Sequence, residues 1–172
     1  MSLIDTTYFV GEITILNLNA EGSFVEQGNV TELGRFITKY EAKFLIALLG
    51  QTLYDSFQSA IADAGESPLT GSWLDLQNKL VDSFNKLSPI ANYVYYWYKR
   101  NNSTSTTAQG ETVQKSENAV NVADYTKMVR AWNEMSDQSD LIWEWLCENV
   151  DTYTGFDSTS FQGFGKMNTF GI

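Results

Sequence analysis

Histidine is absent from the 172 residues of the chain, and cysteine occurs only once, at Cys147. Without histidine the chain cannot form Ser–His or Cys–His catalytic pairs, and it lacks the commonest general base and the commonest zinc ligand. A single thiol forms neither an internal disulfide nor a thiolate zinc site. We therefore expect no bound metal or cofactor, and a protein made in a reducing compartment.

Positive charge is scarce as well, since 11 lysines and arginines stand against 21 aspartates and glutamates, for a formal net charge of −10. Such a chain repels phosphate backbones at long range, which disfavours sequence-independent binding of DNA or RNA. Neither the GxxxxGKS/T phosphate loop nor the GxGxxG dinucleotide motif occurs. The sequence therefore gives no sign of a nucleotide-binding site.

Long apolar runs are also missing, and the longest, FLIALL at residues 44–49, is far shorter than a membrane span. Residues 1–18 lack the basic region of a secretory signal and carry Asp5. We therefore expect a soluble intracellular protein with no membrane partner. Its apolar fraction of 43% and its aromatic fraction of 14% are enough for one packed core.

What the chain does have is helical periodicity, which recurs in five segments. The pattern predicts an all-α fold, a compact bundle of about five helices. The first helix is predicted from an N-cap at Asn29, with Glu32 at the capping-box spacing, to a stop at Gly50. A second helix follows directly. The third is predicted to begin after a cap at Ser72 and to carry apolar residues as far as Phe84.

The fourth helix is predicted to start with Ser88 as its cap and Pro89 at its first position. The run IANYVYYWYKR follows at residues 90–100 and makes this helix apolar nearly all round. A central core helix is the simplest interpretation, and a subunit interface or a platform that stacks on bases or sugars are the alternatives. Stacking on nucleic acid favours interleaved basic residues, and only Lys99 and Arg100 lie near. The fifth helix is predicted from about Val122 to Asn149.

Two segments flank the predicted helical domain of residues 29–149. Residues 1–28 are predicted to form an N-terminal arm or short extended segment, because Ile13 and Ile15 alternate as in a strand. Residues 150–172 have no helical period and are predicted to form an extended C-terminal arm rich in Phe and Gly. Its candidate interface anchors are Phe156, Phe161, Phe164 and Phe170. Removing residues 152–172 is then expected to weaken assembly and to leave the helical fold intact.

A polar tract, NNSTSTTAQGETVQKSEN at residues 101–118, separates the last two helices and is longer than an ordinary helix connection. It is predicted to be a long polar loop or a hairpin with QG at its tip. In a ring-forming protein such an element reaches a neighbour or the central channel. Its candidate contact residues are Thr104, Thr106, Thr107, Gln109 and Gly110.

Four acidic residues lie within the last predicted helix at steps of three and four residues: Asp137, Asp140, Glu144 and Glu148. An acidic stripe is usually a solvated face, although a cluster of carboxylates can hold a divalent cation. The chain lacks the EF-hand loop pattern, so we predict no metal site. If the protein lines a DNA passage, this candidate acidic face would instead repel the DNA.

Three stretches resemble one family. RFITKYEAKFLIALLGQTLYDSF at residues 35–57 resembles the opening helix pair of the head–tail connector, or head-completion adaptor, proteins of tailed bacteriophages and prophages. YYWYKRNNSTSTTAQGETVQKSENA at residues 95–119 and VRAWNEM at residues 129–135 resemble the later part of the same small helical proteins. The resemblance covers roughly residues 29–149.

The resemblance implies a non-enzymatic structural protein of the virion neck, made in the cytoplasm of the bacterial host. Such proteins form a ring, commonly of twelve copies, that docks under the portal and extends the DNA channel toward the tail. They contact tail or other neck proteins, and DNA passes through without sequence-specific binding. The resemblance also marks the loop of residues 103–117 and the C-terminal arm as contact elements.

Two other functions stay open. The first is a soluble helical module outside any virion, which holds a protein or peptide with its aromatic helix or its Phe arm. The second is an enzyme that works through carboxylates or tyrosines. An enzyme would need two acids that converge in a cleft with perturbed pKa values, and the sequence pairs none. We therefore predict no catalytic residues.

Overall fold

The computed structural model describes residues 2–15, 18, 24–102, 105–107, 110–112 and 123–168. Within these residues the chain forms five α-helices and one short hairpin, which confirms the all-α prediction. The helices are α1 (Phe24–Leu49), α2 (Gln51–Ala64), α3 (Gly71–Leu80), α4 (Pro89–Asn102) and α5 (Ala123–Glu148), and the strands are β1 (Ser105–Thr107) and β2 (Gly110–Thr112).

The joint between α1 and α2 is Gly50, as predicted. Its φ of +76° is a backbone conformation that a side chain disfavours, and its amide donates to Ile46 O at 3.0 Å to close the last turn of α1. The other end of α1 differs from the prediction, because the helix begins at Phe24 and runs through Asn29. A capping side chain is a local preference of about 1 kcal/mol, which a propagating helix overrides.

α3 ends at Leu80, earlier than its apolar pattern predicts, and its N-cap is Thr70 rather than Ser72. A tight turn follows, in which Asp82 and Leu87 exchange two backbone hydrogen bonds of 2.8 and 3.2 Å. The Asp82 carboxylate accepts the amide of Phe84 at 3.0 Å inside this turn. The turn therefore replaces the last part of the predicted helix and leaves Phe84 92% exposed.

Ser88 and Pro89 start α4 as predicted. The Ser88 hydroxyl oxygen accepts the amide of Ile90 at 3.1 Å, which is the capping bond. The same hydroxyl donates to Leu80 O at 2.8 Å, at the end of α3. One buried side chain therefore satisfies the end of one helix and the start of the next.

α4 is the centre of the bundle and packs between α1 and α5. Residues 89–96 are all buried, and Ile90 and Val94 have no exposed surface. The interpretation of the aromatic helix as a core helix is therefore confirmed. A helix that is apolar on every side is stable only when it is enclosed in this way.

The N-terminal segment forms two single 3₁₀ turns, at Thr6–Tyr8 and Gly11–Ile13, where the alternation of isoleucines predicted a strand. It also belongs to the core rather than to a separate arm, because its apolar residues are buried against the helices: Ile4, Tyr8, Phe9, Ile15 and Leu18. Burying these side chains outweighs the weak local preference for an extended chain.

The C-terminal segment has no helix or strand over residues 149–168, as its lack of period predicted, but it lies against the helical body. Tyr153 is 3% exposed and Phe156 is 7% exposed. At Gly155 the backbone passes so close to α2 that an added Cβ would lie 3.3 Å from the amide nitrogen of Leu53. The first half of the predicted arm is therefore part of the core.

Candidate functional site

A groove between α1, α4 and α5 holds the ring of Phe164, and we call it the aromatic groove. The Phe164 ring stacks on Phe44 of α1, with centroids 5.4 Å apart and planes only 7° from parallel. It also lies 5.8 Å from the ring of Tyr93 on α4 and 6.2 Å from Trp132 on α5, edge to face with the latter. Each such ring pair contributes about 0.5–1.5 kcal/mol beyond the area that it buries.

The rings of the aromatic groove continue along α4 as one network. Tyr40 stacks on Trp97 at 5.3 Å, and Tyr96 lies 4.6 Å from Trp132. Burial raises the pKa of Tyr93 above its ordinary value of 10.0. The rings of the groove and of α4 therefore form one continuous aromatic surface.

Polar side chains of α5 hold the backbone that follows Phe164. The indole nitrogen of Trp132 donates to Gly165 O at 2.8 Å. The amide of Asn133 makes two bonds with Met167, because its nitrogen donates to Met167 O at 2.9 Å and its oxygen accepts Met167 N at 2.7 Å. Ser136 donates its hydroxyl to Phe164 O. These bonds hold the backbone of the segment at Phe164, Gly165 and Met167 against α5.

Helix periodicity explains why these α5 side chains act together. Positions 132, 133 and 136 lie on neighbouring rows of one helix face, so their polar atoms follow a line along the groove. Asp137 extends this line and makes an ion pair of 2.5 Å with Lys166. Both of these side chains are more than half exposed, so the pair itself contributes little stability.

Sequence analysis did not identify Asn133 and Ser136 as functional residues. Their partners are backbone groups of residues 164 and 167, and every residue carries such groups, so the sequence leaves no mark of the contact. The only signal is that two small polar residues flank the apolar positions Trp132 and Met135 in WNEMS. That signal is too common to identify a groove.

The four predicted anchor rings have different positions. Phe156 is buried among the chain's own helices. Phe161 is half-buried 6.5 Å from the Trp143 ring, and Phe164 lies in the aromatic groove. Phe170 lies outside the described residues. In a single chain, the three described rings therefore meet the chain's own surface, and Phe156 offers no free surface to a partner.

A second site, which the sequence analysis did not identify either, is the buried carboxylate of Glu41 on α1. This residue is only 6% exposed. It accepts the Ser2 hydroxyl at 2.6 Å and the amide of Leu3 at 3.0 Å. Burial raises the pKa of Glu41, and these hydrogen bonds oppose that rise. Glu41 therefore fixes the N-terminal segment on α1. Its place on the apolar stripe, between Ile37 and Phe44, is the signal that could have found it.

The candidate acidic face is solvated, because Asp137, Asp140, Glu144 and Glu148 are all exposed on α5. In the part of the chain that the structure describes, no three His, Cys, Asp or Glu side chains are grouped closely enough to hold a metal ion. One cleft of about 370 Å³ has the exposed carboxylates of Glu12 and Glu134 in its lining. Lys86 also lines this cleft, so its lining carries charges of both signs, as a solvated surface does.

Part of the polar tract forms two paired strands, as the hairpin alternative predicted, but Gly110 is a strand residue of β2 rather than part of the predicted QG tip. β1 pairs antiparallel with β2, with Thr107 opposite Gly110 and Thr106 opposite Glu111. Three of the candidate contact residues, Thr106, Thr107 and Gly110, therefore lie in the strands. Thr104 and Gln109 lie outside the described residues.

The chain matches no protein-family model, no curated protein and no solved structure. Over the described ranges, no helix is both long enough and apolar enough to cross a membrane. Two geometric features therefore bear on function: the hairpin between α4 and α5, and the aromatic groove with the segment bound in it.

Proposed function

We propose that the chain is a non-enzymatic structural subunit that forms the ring of a phage head–tail connector. In this proposal the ring docks under the portal in the virion neck and extends the DNA channel toward the tail. The observation that carries the proposal is the pairing of β1 with β2, which lie between α4 and α5 and are the strands of a chain whose other described elements are helices. The resemblance of residues 29–149 to connector proteins supports the same assignment.

The hairpin suits a contact between subunits. A two-stranded hairpin is marginally stable by itself and gains stability when another strand or surface covers it. Within the described residues no third strand pairs with β1 or β2, so each has an outer backbone edge to offer. An edge of this kind can add a strand from a neighbour without any specific side chain.

The candidate acidic face suits a DNA channel. If the exposed side of α5 faces the passage, its four carboxylates repel the phosphates and keep the DNA moving. Neutralising them together, as Asp137→Asn, Asp140→Asn, Glu144→Gln and Glu148→Gln, should then slow DNA ejection from assembled particles. Unchanged ejection kinetics would remove this part of the proposal.

Native mass spectrometry of the full chain tests the ring, alone over a range of concentrations and then with a candidate portal protein. Closed oligomers or a complex with the portal are expected. Thr106→Pro removes a backbone donor from β1 and should abolish them, whereas Thr106→Val keeps the donor and is the matched control. A chain that stays monomeric and ignores the portal would contradict the proposal.

A peptide-binding module outside a virion is the second candidate, because the aromatic groove holds a segment by its backbone groups. The same experiment separates the two candidates. A binding module stays monomeric at every concentration, and Thr106→Pro leaves its behaviour unchanged.

A further inference from the structure

The aromatic groove is a built peptide site, and its occupant in a single chain is the segment of residues 161–168, which we call the strap. We propose that in the assembled protein the groove of one copy binds the strap of a second copy. This inference rests on the self-association in the proposed function, and it assigns to that association a binding site and a ligand.

The contacts have the two components of peptide recognition. Trp132, Asn133 and Ser136 bind backbone groups, which fixes the direction of the strap but not its sequence. The Phe164 ring fills the pocket between Phe44 and Trp132, which supplies the preference for an aromatic residue. None of these contacts depends on the strap belonging to the same chain.

A natural hinge separates the strap from the core. Tyr153 is held by its hydroxyl bond to Ser72 O at 2.7 Å, and Phe156 is buried, so the chain is anchored up to that point. Residues 157–160 are all exposed, and the turn that they form is closed by local bonds such as Thr159 N to Asp157 Oδ1 at 2.9 Å. Moving this link disturbs little of the core, and its four residues span about 13 Å when extended.

Charge favours this occupant over other surfaces of the same protein. The chain as a whole carries a net charge of −10, so copies repel each other in general. The strap, FQGFGKMN, carries one lysine and no acid, and Lys166 already pairs with Asp137 on the acidic face of α5. The strap is therefore a segment that a second acidic copy can accept without repulsion.

Exchange preserves every contact that the strap makes within one chain. The closed and exchanged states then differ mainly in the entropy of association, and the high local concentration inside a ring offsets that entropy. The hinge length requires the accepting groove to belong to an adjacent subunit. Exchange of this kind links neighbouring subunits, and it buries the same apolar surface that the strap already buries in a single chain.

The test uses the ion pair that the chain already has. Full-length chains with natural and heavy nitrogen are mixed in equal amounts in denaturant and refolded together, and recovery of helicity is checked by circular dichroism. A zero-length carbodiimide then joins Lys166 to Asp137, which lie 2.5 Å apart. Mass spectrometry of the digested product reads whether the two joined peptides carry the same label or different labels.

Exchange predicts that about half of the Lys166–Asp137 products carry mixed labels, as random pairing of two chain populations requires. Phe164→Ala should lower the total yield of the Lys166–Asp137 product, with mixed and like labels together, about tenfold, because it empties the groove pocket in both states. Phe84→Ala removes the same atoms from an exposed ring far along the sequence and serves as the matched control, with no change expected.

Products with like labels only, in a sample that native mass spectrometry shows to be oligomeric, would overturn the exchange and leave the proposed function standing. Like labels only in a persistently monomeric sample that ignores the portal would overturn both. Absence of any Lys166–Asp137 product would also overturn the inference, because the strap would then not occupy the groove.

Discussion

Ending the chain after Ser160 or after Thr152 should have very different effects on stability, although both truncations lie within the C-terminal segment. The longer truncation removes Tyr153 and Phe156, which are almost fully buried. Full burial of a side chain of this size contributes about 1.5–3 kcal/mol, and the bond from Tyr153 to Ser72 O adds about 1 kcal/mol. Removing these two residues therefore adds about 4–7 kcal/mol to the loss that the truncation after Ser160 causes, a large part of the 5–15 kcal/mol that stabilises a typical domain.

The shorter truncation, after Ser160, removes only the half-buried rings of Phe161 and Phe164 and the bonds made by the strap. Its expected loss is about 1–3 kcal/mol, since part of the lost contact energy is offset by the entropy that the freed segment regains. Guanidinium unfolding followed by tryptophan fluorescence and far-UV circular dichroism measures both losses. Equal stability of the two truncated chains would refute this assignment of the core boundary at Phe156.

Three further perturbations test other parts of the structure. Because burial raises the pKa of Glu41 above its ordinary value of 4.5, the fold binds this proton more tightly than the unfolded chain does, so stability should fall as pH rises from 4.5 through the raised pKa. Glu41→Gln should remove that part of the pH dependence of the unfolding free energy, and an unchanged pH profile would contradict it. Ser88→Ala should destabilise the fold by about 1–2 kcal/mol in chemical denaturation, because the cap of α4 and the partner of Leu80 O are lost together. Phe84→Ala should change stability by less than about 0.5 kcal/mol, and a larger loss would mean that this exposed ring packs in the monomer.

Local chemistry made the helix ends predictable where one residue decides them. Gly50 stops α1 because its positive φ suits glycine, and Ser88 with Pro89 starts α4 because a hydroxyl caps and a proline needs no partner for its nitrogen. The sequence also predicted that α4 lies in the core, because a helix that is apolar on nearly every side is stable only when it is buried. The Thr and Val content of the polar tract also allowed a hairpin, but the predicted QG tip was wrong, because Gly110 lies in β2 opposite Thr107.

The remaining features depend on contacts between distant residues. Phe84 is apolar and continues the period of α3, yet the bonds of Asp82 with Leu87 and Phe84 end the helix first. Glu41 places a carboxyl group on a buried face because the amide groups of residues 3 and 4 donate hydrogen bonds to it, which offset part of the cost of its burial. The partners of Asn133 and Ser136 are backbone atoms, which have no signature in the sequence. The sequence therefore predicted rings in the C-terminal segment but not the surface that receives them.

Both ends of the described chain close on the same stretch of α1, since Glu41 holds residues 2–4 and the ring of Phe44, one turn further on, stacks on Phe164. Synthesis delivers the two ends at very different times. Residues 2–4 and α1 leave the ribosome early, and Tyr153, Phe156 and Phe164 emerge long after them. Native packing therefore cannot be completed during translation, and a nascent chain that still lacks these rings exposes apolar surface to chaperones.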